Sequence, residues 1–197
     1  MASETSSTPP GLETDRAPDA SSPTEPAATE AAAEQPARAE PAKAFDRVFL
    51  VVVDNTPEMA VAIRYACRRA LHTGGRVALV HVIEPADFQH WLGVGELIQQ
   101  EARQAAEQLV QKMAAEVYQL SGSIPVIYIR EGERTAEILK LLQEEPGISI
   151  LVLAAATGNR GPGPLVTALT GRMVAQMRVP ITVVPGNLTP EAIDKIA

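Results

Sequence analysis

The sequence predicts an α/β protein: an open, doubly wound sheet of five parallel strands, preceded by a disordered tail. Three observations predict it. Short β-branched runs alternate five times with stretches of helical periodicity between Phe45 and Val184. The first of these runs is continuously apolar, as a strand covered on both faces must be. Residues 1–44, by contrast, hold eight acids, three bases and seven of the sixteen prolines, with Leu12 as their one large aliphatic besides Met1. Such a segment buries too little apolar surface to offset its ordering entropy.

The elements follow in order. Arg47 to Val53 reads as the first strand, and Asp54-Asn55 breaks it. Thr56-Pro57-Glu58 then offers a hydroxyl cap, a proline for the first turn and an acid at the positive end of a helix. Met59, Ala62, Ile63, Ala66, Cys67, Ala70 and Leu71 repeat at helical spacing until Thr73-Gly74-Gly75. Arg76 to Ile83 is a second strand, and Pro85 to Gly95 a loop containing Phe88, His90 and Trp91. A long amphipathic helix over about Glu96 to Leu120 carries Leu97, Ile98, Ala105, Leu109, Met113, Val117 and Leu120 on one stripe. Ile124 to Ile129 is the third strand, and Glu131-Gly132-Glu133 turns into a helix at about Thr135 to Gln143. Ile148 to Leu153 is the fourth strand. The glycine- and proline-rich loop Ala154 to Pro164 leads into a helix at about Leu165 to Met177. Ile181 to Val184 closes the sheet, and Thr189-Pro190-Glu191 caps a last short helix within the extension 187–197. In a sheet wound this way ligands bind beyond the carboxyl ends of the strands, where strand order switches. That directs attention to Asp54, the loop after Val82 and the loop after Leu153.

Charge and composition exclude several classes. Five of the seven net negative charges lie in the tail, so the remainder is close to neutral and offers no basic footprint for nucleic acid or an anionic membrane surface. The tail has neither the basic start and apolar core of a secretory signal nor the Arg-rich, acid-poor make-up of a transit peptide. The apolar run Val48 to Val53 is far too short to span a bilayer. One cysteine, Cys67, excludes an internal disulfide and a multi-cysteine metal site. The cytoplasm is the expected location. His72, His81 and His90 lack metal-ligand spacing, and neither Gly-x-Ser-x-Gly nor Gly-Lys-Ser/Thr occurs, so no catalytic residues or metal are expected.

Val-Val-Val-Asp-Asn-Thr, with Asp54, Thr56, Ala62 and Ala66 at offsets 0, 2, 8 and 12, resembles the first strand and helix of universal stress proteins. Val77 to Ile83 is similar to their second strand, with its His81-Val82 pair. Gly132 before a helix, Ile150 to Leu153, and Pro180 to Val184 resemble their third crossover and last two strands. The resemblance spans residues 45–186. It implies a Rossmann-like fold of the adenine nucleotide alpha hydrolase-like kind, a stress-response binding protein, and a homodimer through the closing strand. Ile181, Thr182, Val183 and Val184 are then the seam. They are uncharged and mostly β-branched, and would otherwise form an exposed edge.

Some family members bind ATP through Gly-x-x-Gly, nine residues, Gly-Ser/Thr after the fourth strand, and others lack it. By spacing alone, Gly158, Gly161 and Gly171 fit the glycines, with Arg172 where a hydroxyl belongs. Glycines suit such a loop because amides must approach phosphate oxygens without an intervening Cβ. Counting from the flanking strands instead places Ala154, Thr157, Thr167 and Ala168 at the signature positions, and every glycine is then replaced. The flanks are the firmer anchor, so no cofactor is expected, while ATP stays open as the alternative: a switch with slow hydrolysis. The resemblance places Asp54 beside the nucleoside and Val82 against the base. A loop acid and a core valine are the plain readings of the same residues. Arg160 and Arg172 could grip phosphate or simply be solvated. Trp91 and Phe88 could cover a ligand, the core or the dimer seam. Cys67 reads as a small core residue of the first helix.

Overall fold

The structure, a computed structural model, describes residues 47–85, 95–159 and 161–197. The tail, Phe88, His90, Trp91 and Arg160 lie outside the described residues. Five strands, β1 (Val48–Val52), β2 (Arg76–Ile83), β3 (Val126–Glu131), β4 (Ile148–Ala155) and β5 (Ile181–Pro185), form one sheet in the order β3-β2-β1-β4-β5. Every pairing is parallel. The chain thus winds outward in both directions from β1, and the switch falls between β1 and β4.

Both faces are covered, as the unbroken apolar pattern of β1 requires. Phe49, Val51 and Val53 pack toward α1 (Met59–Thr73) and α2 (Gly95–Ser121). Val48, Leu50 and Val52 pack toward α3 (Arg134–Glu144) and α4 (Pro164–Thr170). Gly74 ends α1 in the left-handed conformation at φ 67°, where an L side chain would be strained. Glu133 caps α3, its carboxylate accepting from the Thr135 and Ala136 amides at 3.0 and 2.6 Å. Those backbone hydrogen bonds, that from Ala136 above all, hold its pKa below the ordinary carboxylate value.

Several sequence expectations are corrected. Thr56 does not cap α1: its hydroxyl donates to Asp54 Oδ1 at 2.6 Å, and the helix begins at Met59 with Glu58 at the cap position. The buried residues of α2 are Ala106, Val110, Met113 and Val117, with Leu109 and Leu120 partly buried beside them, so the expected stripe holds from Leu109 onward while Leu97, Ile98 and Ala105 are exposed. Ile124 is 80 % exposed, and β3 starts two residues later than expected and runs to Glu131. The continuous helix expected over Leu165 to Met177 is two pieces, α4 and a 3-10 turn at Val174–Gln176, interrupted at Gly171.

The closing helix α5 (Pro190–Ile196) is capped by the Thr189 hydroxyl, which accepts from the Ala192 amide at 3.2 Å, as the sequence leads one to expect. It docks on α1 through buried Ile193 and a two-arginine clamp. Arg64 Nε and Nη2 donate to Asp194 Oδ1 and Oδ2 at 3.0 and 2.6 Å, and Arg68 Nε and Nη2 donate to the same oxygens at 2.7 and 2.9 Å. Hydrogen bonds from Arg68, then Arg64, hold the Asp194 carboxyl far below its usual range. A carboxyl whose folded pKa is depressed contributes stability above its unfolded pKa and loses it as pH falls. Asp194→Asn is therefore expected to lower the melting temperature at pH 7. The gap from wild type should narrow progressively below about pH 4. Melts at pH 7 and pH 3 check this, and a gap independent of pH would disprove the linkage.

Candidate functional site

At the switch point the chain leaves β1 for α1 on one face and β4 for α4 on the other, and a cleft of about 160 Å³ lies beyond the carboxyl ends of the two strands. Val52 and Leu153 form its floor. Asp54, Thr56 and Glu58 supply one wall, Arg134 at the start of α3 another, and Ala156 and Gly163 the loop side. Asp54 stands two residues beyond the end of β1 and is half-buried. Its Oδ1 accepts from the Thr56 amide at 3.2 Å as well as from the hydroxyl, so it both folds the chain toward α1 and faces the cleft.

Among the described lining residues charge is mainly negative. Their cation, Arg134, donates from Nη2 to Glu84 at 2.7 Å. Two carboxylates, Asp54 and Glu58, share the lining with it. Glu58 Oε1 accepts from the Thr157 amide and from the Thr157 hydroxyl, each at 3.3 Å, and so holds the loop after β4 from across the cleft. That loop closes on itself, the Ala156 amide donating to Pro162 O at 3.1 Å. Gly163 leads into α4 at φ 98°, with Pro164 first in the helix and offering no N–H.

Among the expected site residues, Asp54 lines this cleft. Val82 is 3 % exposed, paired with Arg130 in the sheet and packed in the core. Gly158 is exposed in the loop, and Gly161 is exposed at φ 90°. Gly171 caps the C-terminal end of α4, where a Cβ would stand 2.7 Å from Thr167 O, so close packing against its own helix accounts for the glycine. Gly163 lines the cleft at the opposite end of that seven-residue helix, roughly 12 Å away at 1.5 Å per residue. Arg172, beside Gly171, is exposed. In the other register, Ala154 lies within β4, paired with Val184, and Thr167 lies within α4 with its hydroxyl donating to Gly163 O at 2.8 Å.

Sequence reasoning missed Glu58, Arg134 and Gly163 as cleft residues. Glu58 read as a dipole acid, and the sequence carried no signal of its partner 99 positions away. Elsewhere, the His81 Nδ1–H donates to Val53 O at 2.7 Å, tying β2 to the end of β1. Cys67 is fully buried in α1, and burial pushes its thiol up to about 12, which removes any nucleophilic thiolate. No group of three or more His, Cys, Asp or Glu suited to a metal ion occurs among the described residues. No helix among them is long and apolar enough to cross a membrane.

Comparison with known proteins gives a consistent result. The sequence model of the Universal stress protein family matches residues 46–185. The fold is similar to the universal stress protein UspA from Lactobacillus plantarum, at TM-score 0.59 and 17 % identity, covering 72 % of this chain and 99 % of that one. It is also similar to a protein of the universal stress protein family from Burkholderia pseudomallei, at TM-score 0.55 and 16 % identity, covering 74 % and 99 %. A third similar structure is the universal stress protein from Archaeoglobus fulgidus in complex with dAMP, at TM-score 0.50 and 14 % identity, covering 70 % and 96 %. Comparison with curated proteins finds no match.

Proposed function

This chain belongs to the universal stress protein family, and from that premise we propose that it is a regulatory, stress-response binding protein, homodimeric and not an enzyme, that does not bind ATP in the glycine-loop manner. The observation that carries this reading is the state of the loop after β4. An ATP loop presents free backbone amides to phosphate oxygens. Here the two amides next to β4 are taken, that of Thr157 by Glu58 and that of Ala156 by Pro162, positions 162 and 164 are prolines without an amide hydrogen, and Gly158 and Gly161 are exposed and are not lining residues of the cleft. Gly171 and Arg172 stand at the far end of α4.

A second reading is an ATP-binding switch with slow hydrolysis. It is favoured by the dAMP complex of the Archaeoglobus fulgidus relative and by Asp54 at the switch point. Equilibrium dialysis with ATP and magnesium separates the two. No retention at millimolar ATP is expected, and binding at micromolar ATP would replace the first reading with the second.

A further inference from the structure

We propose that Glu58 is a tethered anion that occupies the place of a phosphoryl oxygen in the cleft, and is the residue that excludes phosphorylated ligands from it. The proposal rests on the cleft being the binding site. A single threonine gives Glu58 Oε1 two donors, its amide and its hydroxyl. That pair is what a loop offers to an oxyanion, and here a carboxylate has taken it.

The side chain is also packed in place. Gly186 follows β5 and its amide donates to Ala155 O at 3.0 Å, at the end of β4. A Cβ at Gly186 would overlap Glu58 Cγ, so the absence of a side chain there makes room for the glutamate stem to lie across the strand ends. Glu58 is thereby held between Gly186 and Thr157, with its charge lining the cleft beside that of Asp54. An incoming phosphate would meet two carboxylates. The nearby guanidinium of Arg134 is already engaged with Glu84.

The test uses the full chain with Glu58→Ala and Glu58→Gln, and ATP-magnesium and inorganic pyrophosphate as probes. Unchanged circular dichroism and melting curves establish that each variant is folded. Both variants should bind ATP roughly ten- to a hundredfold more tightly than wild type, as expected for removing one like charge near the surface. Pyrophosphate should shift the Thr157 amide resonance in the variants and leave it unmoved in wild type. Variants as blind to both probes as wild type would overturn the role of Glu58 while leaving the proposed function standing. Wild-type protein that binds ATP as tightly as the variants would overturn both. Binding by Glu58→Ala but not by Glu58→Gln would make bulk, not charge, the barrier and so overturn the proposal.

Discussion

Replacing Leu50 by alanine should destabilise the fold by roughly 3 kcal/mol or more, and lower the melting temperature by about 6 °C or more. Leu50 is fully buried in the central strand β1. Its neighbours in the sheet are Ala78 on β2 and Leu151 on β4, and its side chain belongs to the core shared with α3 and α4. Removing a large aliphatic there costs the transfer free energy of the lost carbons and leaves a cavity. The cavity cannot close easily. Ala78 has no side-chain length to move into it, and the backbone on both sides is held by parallel ladders. In urea the midpoint should fall with an unchanged slope, because the surface exposed on unfolding is nearly the same. Ile124→Ala is the control: that side chain is 80 % exposed, and the change should lie within about 0.5 kcal/mol of wild type. A Leu50→Ala cost below about 1 kcal/mol would show that β1 is not the packed centre of the sheet.

That β1 is covered on both faces was legible in its unbroken apolar run, and so was most of the sheet, whereas its central place in the strand order was not. The run Arg76 to Ile83 coincides with β2 because both its ends are chemically marked, by Gly74-Gly75 before and Glu84-Pro85 after. The Thr189 cap was legible because nothing nearby competes for its hydroxyl. At Thr56 the same reasoning failed, since α1 begins at Met59 and Thr56 stands two positions ahead of the cap, with its hydroxyl donating to Asp54 instead. The helix after β4 broke at Gly171 although its periodicity ran on to Met177, because periodicity records a buried face and not the continuity of the backbone. On α2 the stripe was legible from Leu109 to Leu120, whereas Leu97, Ile98 and Ala105 are exposed, because apolar spacing does not say which turns of a long helix reach the sheet.

The site was less visible, for a different reason. A strand's carboxyl end and its acid can be found locally, which is why Asp54 was found. Glu58 acquires its role only through Thr157 and Gly186, which the fold brings from 99 and 128 positions away. Glycine spacing had the opposite fault. Gly158, Gly161 and Gly171 satisfy a pattern along the chain, but the pattern does not say that Gly171 will stand at the end of α4 remote from the cleft. Gly163, which does line it, belongs to neither register.

Val183→Lys should convert the proposed dimer to a monomer, with the strand still in its sheet. β5 is an edge: β4 pairs with one side, and among the described residues nothing pairs with the other. Its side chains divide accordingly. Val184 is 2 % exposed in the core beside α1, while Val183 is 37 % exposed on the opposite face. An uncharged edge strand carrying an exposed valine invites addition of another strand, and a soluble protein must cover it, charge it or twist it away. In the proposed dimer a second copy covers it across a two-fold axis, so each seam substitution enters twice. Two lysines would then face each other in a desolvated interface, whereas in a lone chain one lysine at an edge is harmless and even protective. The variant should therefore sediment as a monomer with circular dichroism like that of wild type. Ile124→Lys, on the exposed approach to the other edge strand, should sediment as wild type does. An unchanged dimer in Val183→Lys would rule out this seam, and a wild-type protein that sediments as a monomer at every concentration would leave β5 to be protected by some other means.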